Sequence, residues 1–380
     1  MSALEPPFTQ ALPQANYLLL TALDYRTPRK ANMHFIADEL AKRGKTRFFS
    51  LRYSRLSRFK ADPRCEIDAQ ANRVELVKGV ECFLWKTFVH PFNTRKRGLR
   101  SLENVWFQGY RAFMHPVLKQ WLTEADVIFF ESGTAPIFFD AACRLNPQAK
   151  KIYIASDDLQ TIQVADFVHR CFDRAAPHMS ALCLPSRSLA DAMPATGNKY
   201  VVPHGLDHRI ADQADPNPYP TGKHAVSVGS MLFDPEFFRV AATAFPDIQF
   251  HVIGSGHDQE RYPANVTVYA EMPFQETLRY IKHASFGIAP YRSNQVPRYL
   301  ADTSMKLMQY EFFGVPAVCP HAAVGNSALR HGYQPGDALS IKSAIRAALS
   351  APRTSPKRYL SWSEVTDRLI DPVSFADTHW

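Results

Sequence analysis

The sequence predicts an α/β protein made of two doubly wound, Rossmann-like βα domains. Three observations carry that expectation. Short apolar strands alternate with helical patterns along the 380 residues. The alternation runs as two series of similar size. A stretch rich in Pro, Asp and Asn, residues 211–222, separates them. In chain order, residues 17–22 form the first strand. Met33, Ile36, Ala37 and Leu40 then recur at helical spacing, with Lys42 and Arg43 in the last turn and Gly44 as the stop. Further strands are expected at 46–51, 74–76, 126–131, 151–155 and 180–185, and a short one before the Pro203-His204-Gly205 punctuation. The second series places strands at 225–229, 249–254, 266–270, 286–290 and 317–319. The expected division is 1–205, 206–350, and a helical tail 351–380 that packs back on the first domain. Two such domains face a central cleft lined by the carboxyl ends of their strands.

Composition excludes several classes. With 46% hydrophobic and 21% charged residues the chain is neither disordered nor fibrous. Its longest nearly unbroken apolar stretch, 17–23, is far short of the ~20 residues of a membrane-spanning helix. Residues 1–14 are acidic and contain proline, which does not read as a secretory signal. Six cysteines without Cys-x-x-Cys spacing argue against a disulfide framework or zinc ribbon. Gly254-Ser255-Gly256 lacks the third glycine of a dinucleotide fingerprint, because position 259 is Gln, and no phosphate loop occurs. There is no His-Glu-x-x-His and no Asp-x-Asp, so a metal-independent phosphate site is expected, with no cofactor.

Charge is uneven. Residues 1–205 hold 28 basic against 19 acidic side chains, whereas the remainder is nearly neutral. Within 42–111 there are 17 basic and 6 acidic residues, interleaved with Phe48, Phe49, Tyr53, Phe59, Phe83, Trp85, Phe88, Phe92, Trp106, Phe107 and Tyr110. Such a segment suits anionic lipid headgroups; the same composition suits nucleic acid or a plain solvated face.

A diphosphate held without metal needs fixed cations and helix N-termini. Two places offer them. Val228-Gly229-Ser230-Met231 leaves a strand through glycine toward Asp234-Pro235, an N-cap followed by proline. Asp302-Thr303-Ser304-Met305-Lys306 opens a helix running through Gln309 to Gly314-Val315-Pro316. A lysine in a first turn opposes the helix dipole, and an anionic ligand explains it.

These motifs, with Val202-Pro203-His204-Gly205-Leu206-Asp207 and Val252-Ile253-Gly254-Ser255-Gly256, resemble GT-B glycosyltransferases in order and spacing. Over its full length the chain is similar to the membrane-associated, inverting glucuronosyltransferases of xanthan gum assembly. The resemblance implies a GT-B architecture whose C-terminal domain binds the donor. It also implies transfer of glucuronate from UDP-glucuronate, β-1,2-linked, to the mannose of a polyprenyl-diphosphate-linked oligosaccharide. The setting it implies is the anionic cytoplasmic face of the inner membrane, where the enzyme sits peripherally. Retaining relatives commonly carry a Glu-x7-Glu pair; here those positions are Ala301 and Gln309, which fits inversion.

An inverting mechanism needs a base and diphosphate stabilisers. Asp157 and Asp158 follow the strand 151–155; Asp157, first off the strand, is the preferred base and Asp158 the alternative. The competing role for either is to cap a helix beginning near Leu159. The donor is expected to meet Gly229, Ser230, Met231, Ser304, Met305, Lys306 and Gln309, with uracil near Glu271-Met272 and Tyr291. The sugar carboxylate is assigned to Arg26, Arg29 or Lys30, and the basic region 86–110 to the membrane. The alternatives are a GT-B enzyme with another UDP-sugar or a soluble acceptor, including a UDP-sugar epimerase, and, from a different class, a nucleic-acid-binding protein.

Overall fold

A computed structural model describes residues 15–28, 30–60, 62–259, 262–292 and 297–379. The chain forms two compact units. The first takes the described residues up to Arg26, then Met33–Leu182 and Pro194–Asn198; the second takes Thr27–Asn32, Cys183–Met193 and the chain from Lys199 onward.

The first sheet contains β1 (Ala15–Thr21), β2 (Gly44–Ser54), β3 (Val74–Val77), β4 (Val80–Thr87), β5 (Val127–Glu131), β6 (Lys150–Ile154), β7 (Ala181–Leu184) and β8 (Lys199–Val201), in the order β3-β4-β2-β1-β5-β6-β7-β8. Helices α1 (Asn32–Ala41), α2 (Arg100–Ala112), α3 (Pro116–Glu124), α4 (Phe139–Leu145) and α5 (Asp166–Ala175) accompany it. β1 pairs in parallel with β2 on one side and β5 on the other. Both of its neighbours are therefore reached by crossovers in opposite directions, which makes the β1/β5 edge the topological switch point. β1 and β5 read as continuous apolar runs because central parallel strands are covered on both faces. Gly44 does not stop α1; it opens β2, where a Cβ would lie 2.1 Å from the Ala15 carbonyl oxygen.

The second sheet contains β9 (Lys223–Val228), β10 (Ile248–Ile253), β11 (Val266–Tyr269), β12 (Phe286–Ile288), β13 (Ala317–Pro320) and β14 (Arg330–Tyr333), in the order β11-β10-β9-β12-β13-β14. This is the 3-2-1-4-5-6 order of a dinucleotide-type fold, with its switch point between β9 and β12. Helices α6 (Pro235–Ala244), α7 (Phe274–His283), α8 (Leu300–Thr303), α9 (Met305–Phe312), α10 (Ala338–Ser350) and α11 (Trp362–Ile370) complete the unit. Phe237, Phe238, Phe250, Phe286, Tyr333 and Ile345 form its core.

Residues 183–193 and 199–205 group with the second unit, because side chains and backbone tie them there. Ser186 Oγ donates to Asp302 at 2.6 Å, and Arg187 donates to the His379 carbonyl at 3.0 Å. A Cβ on Gly205 would lie 2.9 Å from the Trp362 ring, and Leu206 N–H donates to the Leu360 carbonyl. The chain beyond 350 groups with the second unit, and its contacts with 187–206 lie within that unit.

Candidate functional site

In the first unit a polar cluster occupies the carboxyl ends of β1, β5 and β6. Thr21 ends β1 and Glu131 ends β5, so both stand at the switch point. The Thr21 hydroxyl donates to one Glu131 carboxylate oxygen, and Ser156 Oγ donates to the other at 2.9 Å. The Asp157 N–H donates to Ser132 Oγ at 3.0 Å. Desolvation pushes the Glu131 carboxyl up to about 7, with repulsion from Asp157 adding to the rise and the hydroxyl donors opposing it. Two carboxyls therefore share the carboxyl-end edge of this sheet, Glu131 buried and Asp157 half-buried.

Asp158 is committed elsewhere. Its carboxylate accepts from the N–H of Gln160 at 3.0 Å, and from the N–H and hydroxyl of Thr161 at 3.1 and 3.0 Å. The capping role is real, although the segment it caps is a turn over 159–163 and not a helix. Gln163 adopts φ +54, and α5 begins only at Asp166. Arg26 is also committed: Nε and Nη2 donate to Asp24 at 2.8 and 2.9 Å, and Nη1 to Glu75 at 2.6 Å. With its side chain only 7% exposed, that fork is occupied by carboxylates of the protein itself. Lys30 is half-buried, and Arg29 lies outside the described residues.

The second unit builds its site at its own switch point. Gly229 leaves β9 with φ +87, and Leu232 follows with φ +49. The resulting loop is stapled to the chain after β12: Asp234 N–H donates to the Pro290 carbonyl and Arg292 N–H to the Leu232 carbonyl, both at 2.7 Å. Asp234 then caps α6 by accepting from Glu236 N–H, with Pro235 at the first position. Ser304 caps α9, accepting from Leu307 N–H at 3.4 Å. The hydroxyls of Tyr291 and Ser304 share a 2.6 Å hydrogen bond, and Lys306 Nζ lies 5.5 Å from the Tyr291 ring centroid. Gly229, Ser230, Tyr291, Ser304 and Lys306 are thereby linked through one loop pair and one helix start. Burial holds the Tyr291 hydroxyl well above its usual range, so it stays a neutral hydrogen-bonding group.

Other expected donor residues divide. Gly254 takes φ +64 at the end of β10, and a Cβ there would lie 3.7 Å from the Glu271 Cα. Glu271 is exposed and Met272 half-buried beside it. Met231 is half-buried on the glycine loop, and Gln309 is buried one turn beyond Lys306. Met305 points away from this group; it packs on the apolar cluster of Leu206, Ile210, Leu278 and Phe312. Among the described residues no three His, Cys, Asp or Glu side chains converge as a metal set.

Sequence reasoning missed Glu131 and His204. An acid closing an otherwise apolar strand signals the first. His204 was visible only as part of a motif. Its Nδ1 is 3.2 Å from the Thr303 carbonyl, one residue before the cap of α9, and burial drives its pKa down to about 4. A neutral ring therefore ties the interdomain segment to the start of the helix that carries Lys306.

The basic stretch also resolves differently from expectation. Phe48, Phe49, Tyr53, Phe83, Trp85, Phe107 and Tyr110 are core residues. Phe59 and Phe88 remain exposed, joined by Leu102, Val105 and Phe113. No helix among the described residues is long and apolar enough to cross a membrane.

The family model described as glucuronosyltransferase GumK, N-terminal domain, matches residues 19–185. The chain is 54% identical over 363 residues to a UDP-glucuronate:glycolipid 2-beta-glucuronosyltransferase of Xanthomonas campestris pv. campestris, covering 95% of this chain and 91% of that protein. Among solved structures it is similar to an α,α-trehalose-phosphate synthase of Burkholderia xenovorans, with TM-score 0.61 and 11% identity over 95% of this chain and 100% of that one. The corresponding synthase of Burkholderia multivorans gives TM-score 0.56 at 11% identity, covering 95% and 94%. At such identity these two speak for the fold alone, and the fold is GT-B.

Proposed function

The chain belongs to the family of GT-B glucuronosyltransferases, and from that membership we propose that it transfers glucuronate from UDP-glucuronate to a lipid-linked oligosaccharide. The observation that carries this reading is the 54% identity to the glycolipid glucuronosyltransferase, which runs through both units. The acceptor is the mannose of a polyprenyl-diphosphate-linked oligosaccharide, and the product linkage is β-1,2. Residues up to about 205 serve the acceptor and the membrane, and the remainder serves the donor.

In this mechanism Asp157 takes the proton from the attacking acceptor hydroxyl. The hydroxyl oxygen bonds to the anomeric carbon from the face opposite UDP, the bond to the diphosphate oxygen breaks, and the configuration inverts. The negative charge left on UDP is met by Lys306 and the N–H groups at the Ser304-capped helix start, without a metal. Glu131 favours Asp157 as the base, since burial pushes the Glu131 carboxyl up to about 7 and leaves Asp157 the more exposed of the two. Uracil lies along Glu271 and Met272. The enzyme acts peripherally at the cytoplasmic face of the inner membrane.

The test is transfer of labelled glucuronate to lipid-linked acceptor by wild type and Asp157→Ala, with UDP-glucose as control donor and with EDTA present. Expected are wild-type transfer unaffected by EDTA, little from UDP-glucose, and loss in the variant while UDP still binds. Near-wild-type transfer by Asp157→Ala would remove Asp157 as the base.

A further inference from the structure

Two adjoining concavities in the first unit have no part in the chemistry above. One, of about 360 Å³, is lined by Asn93, Arg95, Lys96, Arg100, Gln163 and Asp166, among others. The second, of about 580 Å³, shares Asn93, Gln163 and Asp166 and adds His169 and Arg170. Both lie beside the turn that follows Asp157 and Asp158.

The walls are fixed by the protein's own bonds. The Asn93 side-chain amide donates to the Gln163 and Val164 carbonyls at 3.1 Å each, joining the loop before α2 to the loop before α5. The acidic residues are already used. Glu103 accepts from the Thr94 N–H at 2.7 Å and from the Thr94 hydroxyl. Asp166 pairs with Arg100 at 3.0 Å. Among the described residues neither Arg95 nor Lys96 has a carboxylate partner, so two adjacent cations border the concavity uncompensated.

An apolar stripe adjoins them. Leu99 immediately precedes α2, and Leu102 and Val105 follow along its outer face, the last two more than 60% exposed. A polyanionic head joined to an apolar chain matches that combination. An ordinary phospholipid phosphodiester brings one negative charge to two free cations, whereas a diphosphate diester brings two. A polar concavity open to solvent also suits a defined head better than a flat, fluid lipid surface does.

We infer that this concavity receives the diphosphate of the acceptor, with Arg95 and Lys96 on its oxygens and the prenyl chain along Leu99, Leu102 and Val105. This rests on the reading of the acceptor as a lipid-linked oligosaccharide. The diphosphate would anchor the acceptor while the sugars extend toward Asp157 past the 158–163 turn.

Farnesyl diphosphate is the probe, because its binding to the full-length chain needs neither donor nor transfer. The wild type is expected to bind it, and the Arg95→Ala/Lys96→Ala double variant to bind at least tenfold more weakly with UDP affinity unchanged. Farnesol is expected not to distinguish the two proteins. Equal affinity of wild type and double variant for farnesyl diphosphate overturns the assignment. So does an affinity that falls in Lys306→Ala, since the probe would then be occupying the nucleotide site. A double variant that loses phosphatidylglycerol vesicles as strongly as farnesyl diphosphate would make this a general headgroup site and likewise overturn it. Wild-type binding that depends on Arg95 and Lys96, in a protein that fails to transfer glucuronate, would sink the donor reading and keep this site.

Discussion

Glu131 shows what one carboxyl at a switch point costs and what it arranges. Its folded pKa of about 7 exceeds the unperturbed 4.5, so between those values the folded chain binds more protons than the unfolded one. Stability therefore falls as pH rises from 4.5 to 7, by about 3 kcal/mol at most, and stays at the lower level above. A glutamine is nearly isosteric with the neutral acid and escapes that loss. Glu131→Gln is expected to melt above wild type at pH 8 and level with it near pH 4.5. The same difference at both pH values in thermal melts would show that burial does not protonate this carboxyl. The sequence displays Glu131 only as a strand's last letter. That Thr21, Glu131 and Asp157 meet depends on β5 lying beside β1, and no local pattern encodes that neighbour. The place of Asp157 after β6 was legible because position after a strand is local, whereas the ion pairs of Arg26 with Asp24 and Glu75 were not, because they join a turn to a distant hairpin.

At the scale of elements, helix starts were the most legible features. Asp234-Pro235 and Ser304 cap α6 and α9 by backbone rules that act within four residues. Elements set by partners were not legible. β4 was missed because its hairpin turn is Lys78-Gly79, with φ +49 and +82, not one of the strongly signalling pairs. β14 was missed because Arg330-His331-Gly332-Tyr333 has no apolar pattern; Arg330 is held by Glu311 at 2.9 Å. For α9 the two polar residues of the first turn separate by sign. Ser304→Ala removes a cap and should cost about 1 kcal/mol of stability. Lys306 opposes the helix dipole, so Lys306→Ala should leave ligand-free stability unchanged or slightly higher while weakening UDP tenfold or more. Calorimetry of UDP binding beside melting curves tests both; a Lys306→Ala protein that melts lower and binds UDP normally would make the lysine structural.

Over the whole molecule the net charge of +8 conceals its concentration in residues 42–111. The composition predicts a surface of cations mixed with aromatics, whereas folding withdraws most of those aromatics into the first sheet's core. What remains outside is a narrower apolar set: Phe59 at 86% exposure, Phe88 at 73%, Leu102, Val105 and Phe113. Arg55 stands 5.1 Å from the Phe88 ring, so charge and apolar surface are interleaved at least there. The two kinds of contact respond differently to salt. Each basic residue near an anionic bilayer contributes about 1 kcal/mol, and at about 1 M salt the screening length falls to about 3 Å. A large apolar side chain taken up by lipid contributes about 1.5–3 kcal/mol and is not screened. Wild type is therefore expected to sediment with phosphatidylglycerol vesicles at low salt and to leave them only in part at about 1 M. The Leu102→Ser/Val105→Ser variant should keep the low-salt binding and lose the salt-resistant fraction. Complete release of the wild type at high salt would mean that the apolar residues stay out of the bilayer and that the cations alone hold the enzyme there.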